Sequence, residues 1–335
     1  MNKQFHRIVL LLVLQSSCIL YALAQNRING FNFEGPPDPV DSEPFVKMRQ
    51  VEANFVSIIP FAYGQSGESI LKWKDLNWQW WGESAEGLEQ CLKLAKSQGL
   101  QTMVKPQIWF DHGSFTGHFK LDTDQDWKAF EAEYRNYILH CASLAAKHNS
   151  ELFCIGTELC TFVEQRPAFW NNLIKEVRII YKGKITYAAN WDSYKECTLW
   201  NNVDYIGIDA YFPLSKQKTP VVKSLLIAWE PWFRDIRSLS LAKSKPVLFT
   251  EYGYRSIDTC CESPWDSSGG KNVNHEAQDN ALNALYQKFW SQDWFAGGFL
   301  WKWHANDHRL GQSNDHFSPQ NKIALQTVKS WYGKY

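Results

Sequence analysis

Eight short apolar runs, separated by longer amphipathic segments, recur along almost the whole chain. Each run has the length and the β-branched and aromatic content of a buried strand, whereas the segments between them place apolar residues at helical spacing. The runs are INGFNFEG (28–35), FVSIIPFAYG (55–64), QTMVKPQIWF (101–110), LFCIGTEL (152–159), ITYAANW (185–191), VDYIGIDAYF (203–212), PVLFTEYGY (246–254) and AGGFLWKWH (296–304). Eight strands alternating with helices or long loops predict an α/β fold, a single (β/α)8 TIM barrel.

The amphipathic segments carry helix stop signals. Those at 84–99, 126–149 and 166–183 end in Gly or Asn, residues that commonly terminate helices. No Pro/Gly/Ser-rich linker, low-complexity tract or repeat interrupts the alternation. Residues 25–335 are therefore expected to form one domain.

The N-terminus is typical of an export signal. Lys3 and Arg7 precede an apolar run too short and too interrupted to span a bilayer, and Ala22-Leu23-Ala24 matches a small-x-small cleavage site. We expect residues 1–24 to be a signal peptide, and the protein to be secreted or periplasmic without a membrane span. Ser16-Ser17-Cys18 also resembles a lipoprotein signal, but polar Gln15 lies where an aliphatic residue is normally found.

Composition narrows the possible partners and cofactors. Lys plus Arg and Asp plus Glu each number 35, so the net charge is zero, which argues against binding to nucleic acid or to anionic membranes. The 17 Trp are well above ordinary usage, and a Trp face can stack on the C–H face of a sugar ring. Cleavage after Ala24 leaves seven of the eight Cys, an odd number without a CxxC pair, so neither a zinc site nor a disulfide framework is indicated.

Two of the predicted strands end in a glutamate. LFCIGTEL places Glu158 at the tip of strand four, and PVLFTEYGY places Glu251 at the tip of strand seven. In a (β/α)8 barrel the active site is built at the C-terminal ends of the strands, so polar residues at those tips indicate catalysis. The alternative is that each glutamate pairs with a nearby Arg or Lys at the rim. Two glutamates at one barrel mouth favour the catalytic interpretation.

A pair of carboxylates converging on one pocket suits glycosidic bond cleavage. One carboxyl group, kept protonated by apolar surroundings and by the charge of its neighbour, donates a proton to the leaving oxygen. The other carboxylate acts as a nucleophile at about 5–5.5 Å separation or as a base toward water at about 6.5–9.5 Å. Spacing in the sequence leaves both outcomes open, and neither requires a metal or a cofactor.

The motifs around these glutamates resemble those of a known family. A glutamate ending strand four and another ending strand seven is the arrangement of a large clan of retaining (β/α)8 glycosidases. Within that clan the chain resembles glycoside hydrolase family 113, the endo-β-1,4-mannanases, from about Asn29 to the C-terminus, through the motifs IGTEL (155–159), YAANW (187–191), DYIGIDAYFPL (204–214), LFTEYGY (248–254) and GFLWKW (298–303).

The resemblance implies roles for both glutamates. Glu158 would be the acid/base, Glu251 the nucleophile, and a β-1,4-linked mannan or glucomannan the substrate. Most members of the wider clan carry Asn immediately before the acid/base, where it binds the sugar 2-hydroxyl, whereas this chain has Thr157. Which group holds that hydroxyl is therefore left open.

Further strand-tip residues are candidates for substrate binding. Tyr211 could donate a hydrogen bond to the nucleophile and help to keep it ionised. Lys105, Gln107 and Trp109 alternate along predicted strand three, so Lys105 is a candidate ligand for a sugar hydroxyl. Trp301 and Trp303 alternate on strand eight, and at least one is expected to stack under the sugar. The other candidates are Asn190, Trp191 and Tyr254.

Two histidine-containing motifs are candidates for metal sites. HANDH (304–308) and DHG (111–113) contain potential metal ligands, but no convincing third ligand accompanies His304 and His308, so no metal site is predicted.

Two rival functions fit the sequence less well. Another retaining β-glycosidase, such as an endoglucanase, is the alternative enzyme. A barrel that binds polysaccharide without cutting it is the alternative outside enzymes. Loss of one glutamate would mark such a barrel, and both glutamates are present.

Overall fold

The computed structural model describes residues 27–74, 76–111, 114–268, 272–306 and 314–335. Its strands are Ile28–Glu34 (β1), Phe55–Ile59 (β2), Phe61–Gly64 (β3), Leu71–Lys72 (β4), Gln101–Val104 (β5), Gln107–Trp109 (β6), Leu152–Thr157 (β7), Lys184–Asn190 (β8), Ile206–Asp209 (β9), Val247–Tyr252 (β10) and Phe295–Trp303 (β11). Eight of them close into a parallel barrel in the order β1-β11-β10-β9-β8-β7-β5-β2, with β1 pairing β2. The predicted (β/α)8 barrel is confirmed.

Helices connect successive barrel strands except between β8 and β9, where the only helical segment among the described residues is the short 3₁₀ helix Thr198–Asn201. In the described part of the chain they are Glu43–Gln50 (α1), Ala85–Ser97 (α2), Asp124–Lys147 (α3), Cys160–Gln165 (α4), Pro167–Ile180 (α5), Val222–Lys243 (α6), His275–Phe289 (α7) and Ala324–Tyr332 (α8). Side-chain caps fix where three of them begin, because Ser84, Thr123 and Asn274 each accept a hydrogen bond from a backbone N–H of the first turn. Gly99, at φ +74°, follows α2 in the left-handed conformation that ends many helices.

Prolines divide two of the predicted strands. Pro60 separates β2 from β3, and Pro106 separates β5 from β6, because a proline has no N–H to donate to the sheet. Strands β3, β4 and β6 form a separate three-stranded sheet. Lys105 and Trp109 therefore do not lie on one continuous strand, as the alternation of the third run had predicted.

Apolar side chains from the barrel strands fill the barrel interior. In one cluster of these side chains, Phe55 and Phe299 meet edge to face, with ring centroids 6.0 Å apart. The other buried members are Ala296, also on β11, and six residues from five further strands, namely Ile28, Met103, Leu152, Cys154, Ala188 and Leu248. A filled interior leaves the C-terminal rim as the place where polar side chains from several strands can meet.

Candidate active site

A cleft of about 980 Å³ lies over the C-terminal ends of the barrel strands. Both candidate glutamates line it, together with aromatic, hydroxyl and charged side chains from the surrounding loops. Its lining includes Glu34, Trp109, Phe115, His118, Asn190, Trp191, Asp192, Tyr211, Trp265, Trp301, Lys302 and His304. The parallel barrel produces this convergence, because all eight strands deliver their last residues to the same rim.

Glu251 is held on both carboxylate oxygens. The Tyr211 hydroxyl donates to Oε2 at 2.8 Å, as the sequence predicted, and the Gln107 amide donates to Oε1 at 2.8 Å. The Lys105 ammonium also donates to Oε1. Hydrogen bonds and a cation that contact the charged form of a carboxylate stabilise that form. These contacts hold the side chain, which is 7% exposed, in one orientation toward the cleft.

Lys105 lies behind Glu251 instead of in the cleft. Its side chain is fully buried and forms ion pairs with Glu251 and, at 3.7 Å, with Asp209. Burial lowers the pKa of the ammonium, but the charges of Asp209 and Glu251 outweigh this effect and raise the pKa above its ordinary value. Lys105 is therefore a permanent cation beneath the carboxylate, and the predicted contact with a sugar hydroxyl is corrected.

Asp209 is a site residue that the sequence interpretation missed. It ends β9, is fully buried, and accepts a hydrogen bond from the Thr250 hydroxyl at 2.7 Å. Burial and the charge of Glu251 raise its pKa to about 7, although Lys105 opposes them. Its position at the end of an apolar run was the available signal, the same one that identified the two glutamates.

Glu158 has the opposite electrostatic environment. Burial raises the pKa of its carboxyl group well above the ordinary value, and the nearby charges of Asp209 and Glu251 raise it further, with partial opposition from Lys105. The carboxyl group therefore holds its proton to a higher pH than an ordinary glutamate does, as a proton donor requires. One rim of the barrel thus holds a carboxyl group whose pKa is raised and a second carboxyl group that accepts three hydrogen bonds.

The backbone is irregular at both glutamates. Glu158 has φ +54°, in the left-handed region that non-glycine residues seldom occupy, while its N–H still donates to Ala188 O at 2.8 Å. The pairing of β7 with β8 shifts between Cys154 and Thr157, and that of β10 with β9 shifts between Phe249 and Glu251. Irregularities of this kind re-aim side chains, and here they adjoin the two residues that point into the cleft.

The predicted binding residues at the end of β8 line the cleft. Asn190 is 8% exposed and its side-chain carbonyl accepts a hydrogen bond from the Trp191 backbone N–H at 2.9 Å. The Trp191 ring stacks on Trp265, with centroids 5.0 Å apart and planes inclined by 17°. An amide and a flat aromatic pair are thereby placed in the same cleft as Glu158, where they could hold a ring bearing hydroxyl groups.

The remaining aromatic candidates fall into two groups. Trp109, which is 49% exposed, and Trp301 line the cleft. Trp303 is only 3% exposed and packs on Phe31 at 4.7 Å between centroids, and Tyr254 is fully buried. Neither of these two side chains lines the cleft, so the predicted sugar contacts of Trp303 and Tyr254 are corrected to core packing.

The histidine motifs fall partly outside the described residues. His112, Gly113, Asp307 and His308 belong to the undescribed segments, and His304 lines the cleft. Burial lowers the pKa of His304 to about 4, so its ring is neutral at physiological pH. In the parts of the chain that are described, no three His, Cys, Asp or Glu side chains group as metal ligands would, and no helix is both long and apolar enough to cross a membrane.

The arrangement can carry out acid-assisted displacement at a carbon bearing an oxygen leaving group. Glu158, whose pKa is raised, can protonate the leaving oxygen, and the hydrogen-bonded Glu251 can attack or stabilise the positive centre. Aromatic faces on several sides of the cleft suit a substrate with both apolar C–H faces and hydroxyl edges. This is the chemistry of glycoside hydrolysis.

Comparisons with known proteins match the chain to one family of glycosidases. The model of Glycoside Hydrolase Family 113 matches residues 40–322. The structure of the GH113 β-mannanase AaManA from Alicyclobacillus acidocaldarius, in complex with ManMIm, is similar at a TM-score of 0.79 and 22% identity, covering 93% of this chain and 98% of that one. A complex structure of a GH113 β-1,4-mannanase aligns at a TM-score of 0.79 and 23% identity, covering 92% of this chain and 100% of that one.

More distant similarity extends to another group of glycosidases. A β-glucuronidase from Faecalibacterium prausnitzii aligns at a TM-score of 0.61 and 14% identity over 92% of this chain and 49% of its own. None of the curated proteins compared with the sequence matches it. The family match spans most of the chain, and its fold and site chemistry agree with that match: the chain belongs to glycoside hydrolase family 113 and is a glycoside hydrolase.

Proposed function

We propose that the chain is a retaining endo-β-1,4-mannanase that hydrolyses β-mannan or glucomannan by double displacement. The opposed environments of the two glutamates carry this proposal, since the pKa of Glu158 is raised by burial and by neighbouring charges while Glu251 accepts three hydrogen bonds, one of them from the Lys105 ammonium. The mannanase activity named for the similar structures supports the choice of substrate. No metal or cofactor takes part in the proposed reaction.

The reaction proceeds in two steps. Glu158 protonates the glycosidic oxygen while Glu251 attacks the anomeric carbon, forming a covalent glycosyl-enzyme and releasing the leaving chain. Glu158, now ionised, then removes a proton from water, which displaces Glu251 and restores the original configuration. Asn190, Trp191, Trp109 and Trp301 bind the sugar at the cleft wall, and Tyr211 orients the nucleophile.

Export follows from the proposed substrate. A polysaccharide of this size is met outside the cytoplasm, and the N-terminal pattern of Lys3, Arg7, an apolar run and Ala22-Leu23-Ala24 supports cleavage after residue 24. Edman sequencing or intact mass of the protein recovered from its native compartment would identify the mature N-terminus. Retention of residues 1–24, or a lipid on Cys18, would contradict this part of the proposal.

A polysaccharide panel tests the substrate and the mechanism together. We expect release of short oligosaccharides from linear β-mannan and glucomannan, and much slower release from xylan and cellulose derivatives. Early NMR spectra of the products should show the β-anomer, because double displacement retains configuration. Initial formation of the α-anomer would contradict retention, and a preference for the cellulose derivative would favour the endoglucanase alternative.

The raised pKa of Glu158 predicts the pH dependence of kcat/KM. Because the proton is lost only as pH rises through that raised pKa, turnover should fall on the alkaline side. With an activated aryl β-mannoside, which needs little protonation in the first step, Glu158→Gln should flatten the alkaline limb of kcat/KM and leave the acidic limb in place. The pH profiles of the wild type and of Glu158→Gln are both measured on this substrate. An alkaline limb unchanged by the substitution would exclude the acid/base role of Glu158. Because the two carboxyl groups interact, the acidic and alkaline limbs of the profile report apparent pKa values of the pair and not of one residue each.

The two tryptophans of β11 provide a matched pair of variants. Trp301→Ala should raise KM for β-mannan by roughly tenfold, because a stacking face worth about 1.5 kcal/mol or slightly less is removed. Trp303→Ala should instead cost about 3–5 kcal/mol of unfolding free energy, since a buried ring leaves a cavity beside Phe31. Michaelis kinetics and thermal melts of both variants check this difference. Similar kinetic losses in the two variants would show that it is wrong.

A further inference from the structure

An aromatic strip leads away from the cleft along the small sheet formed by β3, β4 and β6. Trp109 lines the cleft, and Tyr63 is its direct neighbour across the β3–β6 pairing. Side chains at paired positions of neighbouring strands lie on the same face of a sheet. The Tyr63 ring in turn meets Trp78 edge to face, at 4.7 Å between centroids and 74° between planes. We refer to Trp109, Tyr63 and Trp78 as the aromatic strip.

Two of the three rings are open to solvent. Trp109 is 49% exposed and Trp78 is 54% exposed, although Trp is one of the most highly buried side chains on average. A row of exposed aromatic faces that continues from an established cleft is typical of a binding surface.

Hydrogen bonds hold the strip in place. The Tyr63 hydroxyl donates to Glu83, whose side chain is only 8% exposed. The amide of Gln79, next to Trp78 in the chain, donates to Phe61 O of β3 at 3.1 Å. The loop bearing Trp78 is therefore tied to the same sheet that bears Tyr63 and Trp109. Rings fixed in advance lose little conformational freedom when a ligand binds.

We propose that the aromatic strip is a distal binding surface for the same β-linked polysaccharide, occupied by sugar units that continue out of the cleft. This rests on the proposed function for the identity of the sugar. The three aromatic side chains are uncharged and offer apolar faces, which suits neutral sugar rings with exposed C–H groups. The strip would thus favour long chains over short oligosaccharides.

Electrophoresis in gels containing soluble linear β-mannan or glucomannan tests binding without requiring turnover. Trp78→Ala should be retarded less than the wild type, with an apparent dissociation constant about fivefold higher, because one apolar stacking face is lost. Trp78→Phe keeps a flat ring and should retain most of the retardation. Ile227→Ala, which removes a 68%-exposed apolar side chain on α6, is the control and should match the wild type.

Kinetic measurements distinguish the contribution of the aromatic strip from that of the catalytic cleft. Trp78→Ala should lower kcat/KM on the polymer by about fivefold, the factor expected for its binding. It should leave kcat/KM unchanged on an activated aryl β-mannoside, which fills only the cleft. Equal retardation of Trp78→Ala and wild type in both gels, or no retardation of the wild type, would overturn the inference. A wild type that binds these polymers but cleaves none of them would refute the proposed function, while the gel comparison would still decide the role of the strip.

Discussion

Glu251→Ala should abolish turnover of β-mannan while the barrel stays folded. Loss of the nucleophile removes the group that forms the covalent intermediate, and we expect kcat to fall by about 10⁵-fold or more. The fold should survive because Glu251 lies at the cleft rim and its removal leaves Lys105 paired with Asp209. Steady-state kinetics on mannan, with circular dichroism and a thermal melt, provide the measurement.

Azide distinguishes the roles of the two glutamates. In Glu251→Ala, azide can occupy the vacated space and attack the anomeric carbon directly, so an activated β-mannoside should yield an α-mannosyl azide of inverted configuration. Glu158→Ala is the matched control, in which azide attacks the intermediate on Glu251 and should yield the β-mannosyl azide. If the two variants give products of the same configuration, or if Glu251→Ala retains ordinary activity, the proposed assignment is wrong.

Lys105→Met should reduce both stability and activity. Removing the buried cation leaves Glu251 and Asp209 without their common partner, and breaking such a buried pair costs about 3–5 kcal/mol of unfolding free energy. Because Glu251 also loses a hydrogen bond that orients it, kcat/KM should fall by about 100-fold. Urea unfolding curves and kinetics on mannan measure the two effects.

The pH dependence of Lys105→Met is the decisive readout. Without the cation, the buried carboxylates hold their protons to higher pH, so the acidic limb of kcat/KM should move toward higher pH. The folded variant then binds more protons than the unfolded chain, so its stability deficit relative to wild type should shrink as pH is lowered from 8 toward 5. A deficit independent of pH, with an unmoved acidic limb, would show that Lys105 contributes only packing.

Lys245→Met is a control for this experiment. Lys245 is a partly buried lysine that precedes β10, at the opposite end of the barrel strands from the cleft, and its ammonium donates to Val203 O. Its replacement removes a comparable side chain and a hydrogen bond without touching the carboxylates. The variant should keep the wild-type pH profile of kcat/KM, even if its melting temperature falls.

Much of the fold could be predicted because the pattern behind it is local. Each barrel strand lies within a short apolar run or begins one residue before it, and element boundaries depend on nearby residues such as the helix-capping Ser84 and the strand-dividing Pro60. The same local reasoning located Glu158 and Glu251, since a charged residue that ends a buried strand of a barrel must lie at its mouth. Asp209 carried the same signal and was overlooked.

The sequence by itself determined the barrel, its rim and the two glutamates, because strand period, chain alternation and strand ends are properties of neighbouring residues. Only the tertiary structure decided that Lys105 pairs with Glu251, 146 residues away, and that Trp303 packs in the core while Trp301 lines the cleft. Such choices depend on how strands pair across the barrel and on irregularities such as those beside Thr157 and Glu251. The alternation of side chains within one strand does not contain that long-range information.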